Sequence, residues 1–174
     1  MANVDYAFGF RCIAGPSEVV KLEIDASNAT TIGKGDPLTM EADGGYKRSA
    51  AGELVAYIAQ SFKNSNGESI SYLPASTAGT ITGIKVVPGQ LWAAQADSGT
   101  ALTSAAINAT CDIVAANADT NTGVSKYELD SSNVGTGQAF RIMGLLDEPG
   151  NTFAEHAVLF GEFSENASTS NTSV

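Results

Sequence analysis

Turn signals cut this chain into pieces that suit strands better than helices. They are Gly33-Lys34-Gly35-Asp36-Pro37, Asp43-Gly44-Gly45, Asn64-Ser65-Asn66-Gly67, Pro88-Gly89, Asp97-Ser98-Gly99, Asn121-Thr122-Gly123 and Asp147-Glu148-Pro149-Gly150-Asn151. Each combines residues that favour tight turns: Gly reaches positive φ without steric cost, Pro presets φ, and Asn or Asp bonds its own backbone. Between them lie runs with strand character at 54–62, 80–87, 91–96, 139–146 and 157–163. Val20, Leu22 and Ile24 alternate with Lys21, Glu23 and Asp25, the period of a half-buried strand. Short strands with a turn about every ten residues predict an all-β domain, a compact antiparallel barrel or sandwich with little helix.

The two ends read differently from the middle. Residues 1–18 lack a clean period, but Tyr6, Phe8 and Phe10 alternate before Gly15-Pro16 punctuates the chain. This predicts an extended N-terminal arm with one aromatic edge. The β domain is expected over 19–163, and a polar tail over 164–174, Ser/Thr/Asn-rich and low in complexity. Helix signals are confined to the Ala-rich stretch 101–109 and to 151–157, where Asn151 would cap a single turn.

Composition narrows the function. With 43% hydrophobic and 16% charged residues in 174, the chain has enough apolar side chains for the core of one domain. Its net charge of −10 opposes nucleic-acid binding, which needs Lys and Arg to replace phosphate counterions. No run approaches the ~20 apolar residues of a membrane helix. The first residues lack the basic and apolar regions of a signal peptide, so synthesis in the cytoplasm and no membrane partner are expected.

Residues that carry chemistry are sparse. His156 is the one histidine, so any Ser-His-Asp or Cys-His arrangement would have to use it. No partner motif surrounds it, and a structural or exposed role is expected. Cys12 and Cys111 are too few for a disulfide scaffold or a zinc site and are expected to behave as small apolar residues. Gly33-Lys34-Gly35 starts like a dinucleotide fingerprint but lacks the third glycine and the βαβ context. Asp119, Asn121 and Asp130 fall at positions 1, 3 and 12 of a calcium loop, but the glycine required at position 6 is missing. Trp92, inside a strand-like run, is expected in the core. The reading is a non-enzymatic protein with no cofactor and no metal.

The order of several segments resembles a known family. Asn3-Val4-Asp5-Tyr6-Ala7-Phe8-Gly9-Phe10-Arg11 is similar to an aromatic-Gly-Phe-Arg arm. Gly35-Asp36-Pro37-Leu38 with Gly44-Gly45-Tyr46 resembles a Gly-Asp-Pro hairpin, and Tyr72-Leu73-Pro74-Ala75-Ser76 a Tyr/Trp-x-Pro-Ala segment. Leu91-Trp92-Ala93-Ala94-Gln95-Ala96-Asp97, Thr122-Gly123-Val124-Ser125, Leu129-Asp130-Ser131-Ser132, and Phe140-Arg141-Ile142-Met143-Gly144-Leu145 before Pro149-Gly150-Asn151 continue the match over roughly residues 3–163. The set resembles the decoration, or cement, proteins of tailed-bacteriophage capsids, particularly those of marine and cyanobacterial phages. Family members often carry Pro where Cys12 stands here.

The resemblance implies a virion structural protein, made in the host cytoplasm, that binds the outer capsid surface and stabilises the expanded head by bridging major capsid protein subunits. The implied partners are the major capsid protein and copies of the chain itself, a homotrimer first and a dimer second. The implied capsid contacts are Tyr6, Phe8, Phe10 and Arg11. The alternatives are a receptor- or carbohydrate-binding β module and a minor head-tail component.

Overall fold

A computed structural model describes residues 3–135 and 139–164. The strands in chain order are β1 (Arg11–Ala14), β2 (Val19–Ile24), β3 (Pro37–Met40), β4 (Tyr46–Arg48), β5 (Tyr57–Asn64), β6 (Ser69–Ile70), β7 (Gly79–Lys85), β8 (Leu91–Gln95), β9 (Thr110–Cys111), β10 (Ile113–Val114), β11 (Glu128–Leu129), β12 (Phe140–Leu145) and β13 (Val158–Phe163). One sheet runs β1-β8-β13-β12-β9, and a second runs β2-β7-β5-β3-β4 with β6 also on β5. β10 and β11 form a separate two-stranded ladder, bridged through Leu129 to Ala96 just beyond β8. All strand pairs are antiparallel. The expected all-β class is therefore correct, in a sandwich-like form without a closed barrel.

The alternating sequences explain the burial. In β2, Leu22 and Ile24 are buried while Lys21 and Glu23 face water. In β12, Phe140 and Ile142 point inward and Arg141 and Met143 outward. β8 has the run Trp92-Ala93-Ala94-Gln95 wholly buried because something covers each face. Trp92 and Ala94 enter the main core. Gln95 holds the N-terminal segment instead.

That main core is where the two sheets meet. Val55, Ile58 and Val86 from the second sheet's side pack with Trp92, Phe140, Ile142, Leu159 and Phe163 from the first. Phe163 sits edge-on to Trp92 and Phe140, at centroid separations of 5.8 and 5.5 Å. A second cluster, around Leu22, Ile24, Leu38, Phe62 and Ile81, lies on the other side of β5. A bulge between Ala59 and Ser61 lets one strand serve both. The extra residue, Gln60, keeps Ala59 and Phe62 on one face despite their odd spacing.

Several local expectations differ from the fold. The Ala-rich stretch 101–109 forms only a 3-10 turn at Ser104–Ala106, capped by Thr103. No helix forms at 151–157. Asn151 instead accepts from Val158 N and donates to the carbonyls of Leu146 and Val158, closing the loop between β12 and β13. That loop offered Asn151 unpaired strand-end groups, and these outcompete a one-turn helix. The N-terminal segment is not an arm as far as residue 18, because β1 belongs to the first sheet. Beyond Ser164, the expected tail lies outside the described residues.

Candidate functional site

The residues before β1 form the most distinctive surface of the molecule. Residues 3–8 have no regular secondary structure and join no ladder, and side chains hold them down. Asn3 donates to the carbonyls of Thr152 and Glu155 and accepts from Thr152 N. The Gln95 amide accepts from Tyr6 N at 2.9 Å and donates to the Val4 carbonyl at 2.8 Å. One buried side chain thus supplies the hydrogen bonds a neighbouring strand would give. Between the two clamps, Val4 is 76% exposed and Tyr6 70%.

The four residues implied as capsid contacts separate here. Tyr6 projects into solvent. Phe8 is half-buried, with the Arg11 guanidinium 5.2 Å from its ring centre. Arg11 also pairs with Glu148 at 2.9 Å. Phe10 is different: it is 2% exposed and packs on Phe140 and Phe163 at 5.8 and 4.8 Å. It is a core residue and offers nothing to a partner, which corrects the expectation for that position.

A groove of about 920 Å³ adjoins the segment. Val4, Tyr6, Phe8, Cys12, Ile84 and Val158 give it an apolar lining, with Arg11, Lys34 and Glu148 adding charge. β1 closes one side and is an edge strand of its sheet, paired among the described residues with β8 alone. Its Ile13 side chain is 38% exposed.

Under the segment lies a cluster the sequence did not reveal. His156 Nδ1 stands 3.9 Å from Asp5 Oδ1 and 3.9 Å from Glu128 Oε1. Asp5 comes from the N-terminal segment, Glu128 from β11, and His156 from the loop before β13. Burial, with the charges of Asp5 and Asp97, pushes the Glu128 carboxyl up to about 7, against a smaller opposing effect of His156. Among the described residues, these three are the one group of His, Cys, Asp and Glu side chains placed to share an ion.

Other candidates have structural duties. Trp92 is fully buried, as expected. Cys111 is buried, which pushes its thiol up to about 12 and makes it a poor nucleophile. Cys12 is only partly buried and faces Trp92 across the ladder. Asp119 accepts from Asn121 N in its own turn, while Asp130 accepts from Ser132 N at a 3-10 turn. No family model, curated protein or solved structure matches the chain.

Proposed function

We propose that this chain is a virion structural protein that binds the outer surface of a tailed-phage capsid and bridges major capsid protein subunits. The observation that carries the proposal is an edge strand, β1, preceded by a clamped segment whose Val4 and Tyr6 are exposed. An edge strand offers unpaired backbone groups to an added strand, and an exposed aromatic supplies an anchor beside it. Clamping lowers the ordering cost of the contact. The ordered motif set and a net charge of −10, unsuited to a DNA-facing surface, support the same reading.

In this account Tyr6 is the main aromatic contact, with Phe8 beside it and Ile13 marking the strand edge. Arg11 exchanges Glu148 for a capsid carboxylate. Self-association, as a homotrimer first and a dimer second, would multiply weak contacts through avidity. Quantifying the chain in purified virions tests the assignment. A copy number comparable to that of the major capsid protein supports it. A few copies per particle would instead indicate a minor head-tail component, and absence from virions would leave a receptor- or carbohydrate-binding module.

A further inference from the structure

We propose that Asp5, Glu128 and His156 bind a divalent transition-metal cation of the Zn²⁺ type, which latches the N-terminal segment to the body of the domain. The first reason is two orphaned atoms. His156 Nδ1 and Glu128 Oε1 are both buried without a hydrogen-bond partner. They face each other at 3.9 Å, too far for a hydrogen bond. A buried polar group left in that condition destabilises the fold, and one cation would satisfy both.

The second reason is position. The donor atoms of the three residues all lie within 4.8 Å of one another. A tetrahedral ion with bonds of about 2.0–2.1 Å places adjacent donors about 3.4 Å apart. The two His156 pairs close from 3.9 Å by about half an ångström, and the carboxylate pair, within 4.8 Å, by at most about 1.4 Å, which rotation of the exposed Asp5 side chain supplies. Hydrogen bonds from one buried side chain already fix the scaffold. Gln95 accepts from Tyr6 N and donates to the carbonyls of Val4 and His156, holding Asp5 and His156 from one side chain. His156 itself adopts φ 55°, a left-handed conformation uncommon for a residue with a side chain.

The third reason is chemistry. Asp97 adds further negative charge near Glu128, so the pocket holds an excess of carboxylates around one imidazole. One nitrogen and two carboxylate donors suit Zn²⁺ or a neighbouring transition metal, whereas Ca²⁺ and Mg²⁺ prefer all-oxygen shells. Three protein donors leave a position for water. No step beyond binding is implied: the ion is a latch that joins residue 5 to residues 128 and 156.

Isothermal titration of chelator-treated, full-length protein with ZnCl₂, and with CaCl₂ in parallel, tests the inference. Saturable binding of one Zn²⁺ per chain is expected, with Ca²⁺ much weaker. Asp5→Asn, at an exposed position that leaves the fold intact, should weaken Zn²⁺ by more than the about 10–100-fold that follows loss of an outer-shell partner. His156→Ala and Glu128→Gln should do the same, with circular dichroism confirming their fold. Zn²⁺ should also slow proteolysis of the N-terminal segment in the parent and not in Asp5→Asn. No saturable binding, or binding unchanged in Asp5→Asn, would overturn the proposal.

Discussion

Gly9 and Gly35 pack backbone against backbone. Phe10 N donates to the Gly35 carbonyl at 2.9 Å. A Cβ on Gly9 would stand 2.5 Å from that oxygen, and a Cβ on Gly35 would stand 2.5 Å from the Phe8 carbonyl oxygen. Both residues have positive φ, at 70° and 95°. This contact sets the course of the N-terminal segment, turning Phe10 into the core while Tyr6 stays outside.

Alanine at either glycine should therefore cost more than about 1 kcal/mol, through strain at positive φ and a backbone clash. Urea denaturation would show the loss as a lower midpoint at similar slope. An unchanged midpoint would mean that the two segments separate without penalty.

Phe10 and Tyr6 should respond in opposite ways. Phe10→Ala removes an aromatic side chain from the main core and is expected to cost about 3–5 kcal/mol. Tyr6→Ala lies at an exposed position and should stay within about 0.5 kcal/mol of the parent. Head binding should reverse that order of importance, with Tyr6→Ala folded but weakly bound. For the same reason, a truncation that removes residues 1–8 tests the segment cleanly, whereas one that reaches residue 14 removes Phe10 and β1 as well.

Gln95→Ala should release the segment. The substitution leaves Tyr6 N and the Val4 carbonyl without their partner, and loss of these bonds is expected to cost about 1–3 kcal/mol. Amide hydrogen exchange at Tyr6 should rise by at least about tenfold relative to amides in β5, since local opening needs less free energy. Equal protection in the variant would show that Asn3 alone holds the segment.

Asp36 predicts an unusual pH response. Burial pushes its carboxyl from the ordinary 3.8 up to about 6, although Gly33 N and Ser125 bond to it. An acid with a raised folded pKa stabilises the fold fully below its unfolded pKa, and that contribution is lost as pH rises through the folded one. The window is about pH 4–6, and the loss is about 3 kcal/mol at 1.4 kcal/mol per unit. Asp25 and Asp119 act oppositely: hydrogen bonds from Ser27 and from Asn121 N lower their pKa values, so their contributions fade on acidification below about pH 4. Asp36→Asn should therefore gain stability relative to the parent as pH rises from 4 to 7. A pH-independent difference between the two proteins would refute the burial account.

Much of the fold was legible because its signals are local. The alternation in Val19–Ile24 and the apolar runs that became β5, β7, β8, β12 and β13 sit between turn residues that ended them. Phe10 was misread because alternation assumes a continuous strand. Gly9 breaks that continuity by turning left-handed, so Phe10 leaves the edge that carries Tyr6 and Phe8. Asn151 was misplaced because a polar residue before a short apolar run satisfies backbone groups equally well as a cap or across a loop. Asp5, Glu128 and His156 have no characteristic spacing. Only the docking of the N-terminal segment beside β11 and the β13 loop unites them, and no sequence window spans it.

Co-sedimentation with expanded, undecorated heads tests the central claim most directly, with unexpanded precursor heads as control. The account predicts saturable binding that favours expanded heads, reaches a fixed ratio to the major capsid protein and is weakened by Tyr6→Ala. Absence of binding to either form of head would contradict it.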